Sequence, residues 1–130
     1  MDIFLAKVNW VMEQLGPDVP LHFTAFHPDW KMTATTATPL QTLIRSREIA
    51  LRNGLHYVYT GNVHDVKGSS TYCHHCGETL IGRDWYELGT WNMRAENNRG
   101  RCGHCGTLIA GVFDSMPGQC GARRLPIRVA

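Results

Sequence analysis

The stretch TYCHHCGETLIG at residues 71–82 returns in near copy as CGHCGTLIAG at residues 102–111. Each copy holds two cysteines two residues apart, Cys73 and Cys76 in the first, Cys102 and Cys105 in the second. A glycine follows each second cysteine, and Thr-Leu-Ile continues both phrases. The spacing has a mechanical reason. Two intervening residues let a tight turn aim both sulfurs at one ion, with backbone N–H groups directed back at the thiolates. The glycine supplies the positive φ that such a turn requires. Two knuckles of this kind complete a tetrahedron with metal–sulfur distances of about 2.3 Å. The alternative is four unconnected buried thiols; spacing together with duplication favours a single four-thiolate metal site at Cys73, Cys76, Cys102 and Cys105.

The rest of the composition agrees. The chain has 130 residues, room for one ordinary domain or two small ones, and its 43% hydrophobic and 18% charged content is that of a folded protein. No apolar run is long enough to span a bilayer, and MDIFLAKVNWVMEQL is broken by Asp2, Lys7, Asn9 and Glu13, so it does not read as a signal peptide. The expected location is the cytoplasm, where thiols stay reduced and an odd count of five cysteines argues for metal ligation over disulfides. Four thiolates around one Zn²⁺ would take the formal charge from +2 to zero, which leaves little general attraction for nucleic acid. Residues 1–66 hold five Lys/Arg against six Asp/Glu, and 67–130 hold eight against five, so a boundary near 67 is expected.

An all-sulfur tetrahedron suits zinc or iron. Zinc is the favoured reading, because nothing in the sequence marks an electron-transfer partner or a second redox centre. A closed set of four thiolates offers no open position for water or substrate, so the ion is expected to fold the module and not to catalyse. His74, His75 and His104 lie inside the knuckles and read as exposed loop residues or outer donors. Cys120 reads as a free exposed thiol, and Arg123, Arg124 and Arg128 as solvated tail charges.

Upstream, Phe4, Leu5, Val8, Val11, Met12 and Leu15 recur at helical spacing, and Gly16-Pro17 ends that helix. LHFTAF at 21–26 predicts a strand, and HPDWKMTATTAT at 27–38 a polar loop. Thr38, with Gln41 three residues on and Pro39 at the first helical position, predicts a capped helix with Leu40, Leu43, Ile44 and Leu51 on its buried stripe. Asn53-Gly54 closes it, and LHYVYT at 55–60 predicts a second strand. Helix, strand, helix, strand is the order of α/β proteins with parallel strands, yet two strands make no stable sheet alone. From residue 67 glycines cluster, helical periodicity disappears, and the short runs WYEL and TWNMRA suggest a small all-β module held by metal. After Phe113 the tail reads as irregular.

FHPDWKM (26–32), Thr38-Pro39, GLHYVYTGNV (54–63) and the paired cysteine phrases, in this order and spacing, resemble the C-terminal third of the AmmeMemoRadiSam-system radical SAM enzymes, which are similar to pyruvate formate-lyase activating enzyme. The likeness runs from about residue 2 to about residue 113. It implies that residues 1–66 are the C-terminal edge of a partial TIM barrel, two α-β units, and that 67–113 form an appended zinc-ribbon or rubredoxin-like module, with 114–130 outside the likeness. Complete members carry a CxxxCxxC loop whose [4Fe–4S] cluster cleaves S-adenosylmethionine to a 5′-deoxyadenosyl radical. In this sequence no two cysteines are four apart, so the ligand set for that cluster is missing. The expectation is a truncated or split gene product that is not competent for radical chemistry alone. A partner chain would supply the rest of the barrel, and the isolated chain would self-associate through its unpaired sheet edge.

Chemistry in such barrels sits where strands end. In a completed barrel His27, Asp29 and Lys31 after the first strand, and Gly61 and Asn62 after the second, would contact S-adenosylmethionine or substrate. The plainer reading of the same residues is two turns, with Asp29 capping. Tyr57 and Tyr59 fit core packing as well as a ligand. A separate reading makes the cysteine module a stand-alone ribbon binding nucleic acid or a protein, with Trp85, Tyr86, Trp91 and Arg94 as the contact surface. A third makes it a rubredoxin-like electron carrier.

Overall fold

The computed structural model describes residues 2–119, 121–124, 126, 127 and 129. The chain forms two compact units, Met1–Ser69 and Ser70–Ala130.

In the first unit, helix α1 (Asp2–Leu15) leads to strand β1 (Leu21–Thr24), helix α2 (Leu40–Arg52), strand β2 (Val58–Gly61) and a single turn, α3 (Val66–Ser69). β1 and β2 pair in parallel, Leu21 opposite Val58 and Thr24 opposite Gly61. The order matches the α/β expectation. The core gathers Val8, Ala50, Leu55 and Val58, with Phe4, Val11, Met12, Leu21, Phe23 and Leu51 packed around them. Because strand side chains alternate, Leu21, Phe23 and Val58 face α1 and α2, while His22, Thr24 and Tyr59 lie on the other face, where the rings of His22 and Tyr59 stack 5.0 Å apart.

Several local expectations are corrected. The first strand stops at Thr24, not at residue 26, because the chain is diverted. Phe26 N–H donates to Thr38 Oγ1 at 2.9 Å, and Thr38 N–H donates back to the Phe26 carbonyl at 3.0 Å. Thr38 therefore closes the loop and does not cap α2. The helix begins after Pro39 with no side-chain cap. The second strand starts at Val58 because Leu55 N–H still reaches Ala50 of the helix and His56 N–H donates to Pro17. On α2 the fully buried positions are Leu43, Arg47 and Ala50, while Leu40 is exposed. Arg47 belongs inside because its Nε donates to the Val58 carbonyl at 2.9 Å. On α1 the stripe is narrower than its spacing suggests: Val8 is buried, but Leu5 and Leu15 are exposed. α3 falls where glycine and serine suggested loss of helix. The turn is closed by the Ser69 N–H and Oγ, which donate to the Asp65 carbonyl at 2.9 and 2.7 Å, and a Cβ on Gly68 would collide with Asp65 Oδ2 and Thr60 Oγ1.

The second unit contains two three-stranded antiparallel sheets. The first is β3 (Thr71–Tyr72), β4 (Thr79–Asp84) and β5 (Glu87–Trp91); the second is β6 (Met93–Glu96), β7 (Arg99–Cys102) and β8 (Leu108–Ile109). Cys73, Leu80, Ile81, Met93, Cys102 and Ile109 are buried. WYEL and TWNMRA are not continuous strands. Trp85 takes φ of 52° in the two-residue turn between Asp84 and Glu87. Asn92 separates β5 from β6, bound from its N–H to Leu80 and through its carbonyl to Gly103. Asn97 and Asn98, with φ of 51° and 62°, make the β6–β7 turn, a conformation that asparagine tolerates. Residues 114–119, 121–124, 126, 127 and 129 form no helix or strand. Cys120 and Arg128 lie outside the described residues.

Candidate metal centre

Both cysteine phrases build the same hairpin turn. In the first, between β3 and β4, Cys73 N–H donates to the Glu78 carbonyl and Gly77 N–H to the Cys73 carbonyl, each at 2.9 Å. In the second, between β7 and β8, Cys102 N–H donates to Thr107 and Gly106 N–H to Cys102, again at 2.9 Å. Gly77 and Gly106 hold φ of 81° and 77°, as the turn demands. In each phrase the first cysteine is buried at its strand end and the second sits exposed on the turn.

The knuckles meet sulfur to sulfur. Cys73 Sγ lies 3.7 Å from Cys105 Sγ, and Cys76 Sγ lies 3.6 Å from Cys102 Sγ. All four sulfurs fall within 4.8 Å of one another. These separations are far longer than a disulfide bond of about 2.05 Å. They match the edge, about 3.8 Å, of a tetrahedron drawn around metal–sulfur bonds of about 2.3 Å. The donor set therefore fits a metal ion such as zinc, and the four cysteines are placed to hold one.

The surroundings favour thiolates unevenly. Thr107 dominates at Cys105: its hydroxyl lies 3.1 Å from the sulfur and its amide also donates, bringing the thiol down from 9.0 to about 5. Desolvation opposes the Cys102 thiolate, but the amides of Cys105 and His104, 3.5 and 3.4 Å from its sulfur, outweigh it and lower the thiol. At Cys76 the Glu78 amide favours the thiolate, yet desolvation and the three neighbouring sulfurs push it up to about 12. The asymmetry has a sequence cause. Glu78 is the one extra residue in the first copy, so the threonine that serves Cys105 in the second is displaced from Cys76. Thr107 is thus a functional residue missed from sequence, although its place directly after Gly106 was the available signal. His74, His75 and His104 are exposed.

The other expected site residues lie at the C-terminal ends of the parallel strands. His27, Asp29 and Lys31 are exposed in the loop after β1, and Asn62 is exposed directly after β2. Asp29 Oδ1 accepts from Trp30 N–H at 2.8 Å, and its carbonyl accepts from Met32 N–H. Lys31 Nζ stands 4.5 Å from the Trp30 ring centre. Asn62, with φ of 59°, donates through Nδ2 to the Ala25 carbonyl at 3.0 Å and so ties the two strand ends together. No hydrogen bond or ion pair among the described residues joins these four side chains to one another. Among the described residues no helix is long and apolar enough to cross a membrane.

The chain is similar to the uncharacterized protein MJ0808 of Methanocaldococcus jannaschii, with 41% identity over 109 residues. The matched region is 84% of this chain and 32% of the archaeal protein, so the chain spans about a third of that relative's length. No protein-family model matches the chain. No solved structure matches it.

Proposed function

We propose that this chain is the C-terminal portion of a radical S-adenosylmethionine enzyme of the kind its motifs resemble, the edge of an α/β barrel followed by a structural zinc ribbon. The observation that carries the ribbon is the meeting of four sulfurs at tetrahedral spacing. Four thiolates close the coordination sphere, so the ion's part is to fold the module; zinc suits that part, with iron as the alternative. The barrel reading is supported by the parallel β1–α2–β2 order and by α1 and α2 packing against the sheet face that carries Leu21, Phe23 and Val58. A barrel sends its opposite strand face inward, and here that face carries His22, Thr24 and Tyr59. The archaeal relative, about three times as long as the matched region, is consistent with missing strands.

Among these 130 residues there is no CxxxCxxC loop, so reductive cleavage of S-adenosylmethionine needs a cluster held by further chain or by a partner. On this reading His27, Asp29, Lys31 and Asn62 stand on the rim where S-adenosylmethionine or substrate binds. The test has two parts. Metal analysis of the reduced chain should find zinc, and light scattering should find self-association through the open sheet edge. A clean monomer whose two units unfold together would overturn the barrel reading.

A second reading treats the ribbon as a binding module. It is favoured by Trp85 and Tyr86, 58% and 70% exposed on the β4–β5 turn, where aromatic faces could stack on bases. Salt-dependent binding of single-stranded nucleic acid would support it, and no binding at low salt would remove it.

A further inference from the structure

Arg94 and Arg101 stand directly opposite each other across the β6–β7 ladder. Both are exposed, on the face away from buried Met93, Gly100 and Cys102. Like charges so placed repel. Among the described residues no carboxylate lies within ion-pair distance of either. Both guanidinium groups turn instead to the second cysteine knuckle. Arg94 Nη2 donates to the Cys102 carbonyl at 3.5 Å, and Arg101 Nη1 donates to the Gly106 carbonyl at 3.2 Å. A Cβ placed on Gly106 would lie 3.8 Å from Arg94 Nη2, so both charges reach the same short turn.

That turn carries two of the four sulfurs. Four thiolates around a divalent ion leave two net negative charges, and two guanidinium groups match them in number. We infer that Arg94 and Arg101 are the counter-charge of the metal centre, positioning residues that hold the Cys102–Gly106 knuckle by its carbonyls and favour the gathering of four thiolates. The inference rests on the four-thiolate metal reading. Arginine suits this role because it stays charged at all working pH values. Its planar fork donates to a carbonyl of the knuckle and keeps its full charge beside the turn that carries Cys102 and Cys105.

The experiment measures Zn²⁺ affinity of the whole reduced chain by competition with a chromophoric chelator. The variants are Arg94→Gln, Arg101→Gln, the double glutamine variant, and the double lysine variant Arg94→Lys/Arg101→Lys. Glutamine keeps an N–H donor and loses the charge, whereas lysine keeps the charge. Each single glutamine change is expected to weaken zinc about 3- to 10-fold, and the double about 30-fold, at low salt. The deficit should shrink as salt is raised to about 1 M, because both side chains are exposed and screened. The double lysine variant should stay within about 3-fold of the unsubstituted chain. Arg99→Gln, on the same face but without a knuckle contact, should change affinity less than either single variant.

Unchanged affinity in the double glutamine variant overturns the inference. So does a lysine variant as weak as the glutamine one, or a deficit that salt does not move. If the glutamine variant fails to fold even with excess zinc, the lysine variant alone decides. If the unsubstituted chain binds no zinc, the metal reading itself fails, an outcome distinct from the others.

Discussion

Cys73 and Cys105, 32 positions apart in sequence, bring their sulfurs to 3.7 Å. Each sits at a hairpin of a different sheet, so the sulfur cluster joins β3–β5 to β6–β8 alongside the backbone bonds of Asn92 to Leu80 and Gly103. Bare thiolates this close would repel, and a bound cation converts that repulsion into attraction.

Removing the ion should therefore undo the second unit and spare the first. The reduced chain should carry one zinc by native mass spectrometry. A strong chelator should abolish the β signal of residues 70–119 and shift the emission of Trp91 toward that of a solvated indole, while leaving helical circular dichroism from α1 and α2. Cys73→Ser and Cys102→Ser should each cost zinc affinity and the ordered β signal together. A metal-free chain that keeps both sheets, or thiols oxidised in pairs, would refute the metal centre.

Acid should release the metal, and the two exposed thiols act on that release with opposite signs. Folding holds the Cys105 thiol at about 5 against its ordinary 9.0, so its thiolate contributes stability that is full above 9.0 and is lost as pH falls through about 5. Cys76 has the opposite sign: raised to about 12, it favours the metal-free fold below 9.0 and loses that contribution as pH rises toward 12. Metal loading near neutral pH must displace the Cys76 proton, so loading should release protons into weak buffer. In the cobalt-substituted chain the thiolate-to-metal absorbance should fall as acid protonates the thiolates. A Thr107→Val variant that loses it at an unchanged pH would contradict the environment described for Cys105. Thr107→Val should move the loss to higher pH.

Arg47 offers a test of the first unit. Its Nε fills the Val58 carbonyl from within the buried stripe of α2. Arg47→Leu keeps apolar bulk and leaves that carbonyl unpaired, so unfolding of the first unit should lose about 1–3 kcal/mol. Chemical denaturation followed by circular dichroism measures it, and an unchanged midpoint would count against the bond.

At Gly68 a methyl group has no room. Gly68→Ala must push aside Asp65 and Thr60, whose side chains hydrogen-bond to each other at 3.0 Å. The expected cost is about 1–3 kcal/mol, read as a lower melting temperature of the first unit. Gly89→Ala, at an exposed site with nothing within 4 Å, should be nearly neutral by comparison.

The sulfur site was legible because a duplicated phrase fixes both ligand identity and turn geometry within five residues. The helix–strand–helix–strand order was legible because Phe4, Val8 and Val11, and later Leu43, repeat at helical spacing between short β-forming runs. What escaped depended on partners distant in sequence. Thr38 looks like a helix cap until Phe26, twelve residues back, claims its hydroxyl. The apolar stripe omits Arg47, and only the Val58 carbonyl beside it accounts for its place there. Trp85 looks like a strand residue, and only the pairing of Asp84 with Glu87 puts it in a turn. Asn97-Asn98 also went unread, although a pair of asparagines between Glu96 and Arg99 is a two-residue hairpin signal. The barrel reading rests on sequence likeness and sheet order together, since two strands define a direction but not a closure.

In both knuckles the leading cysteine is sealed under the sheet and the trailing one stands in water. Attack on the centre is therefore one-sided: chelators, oxidants and alkylating reagents meet Cys76 and Cys105 long before Cys73 or Cys102. Ejection of the ion should begin with two half-detached bonds on the solvent side, while the remaining pair keeps it tethered until the sheets themselves part.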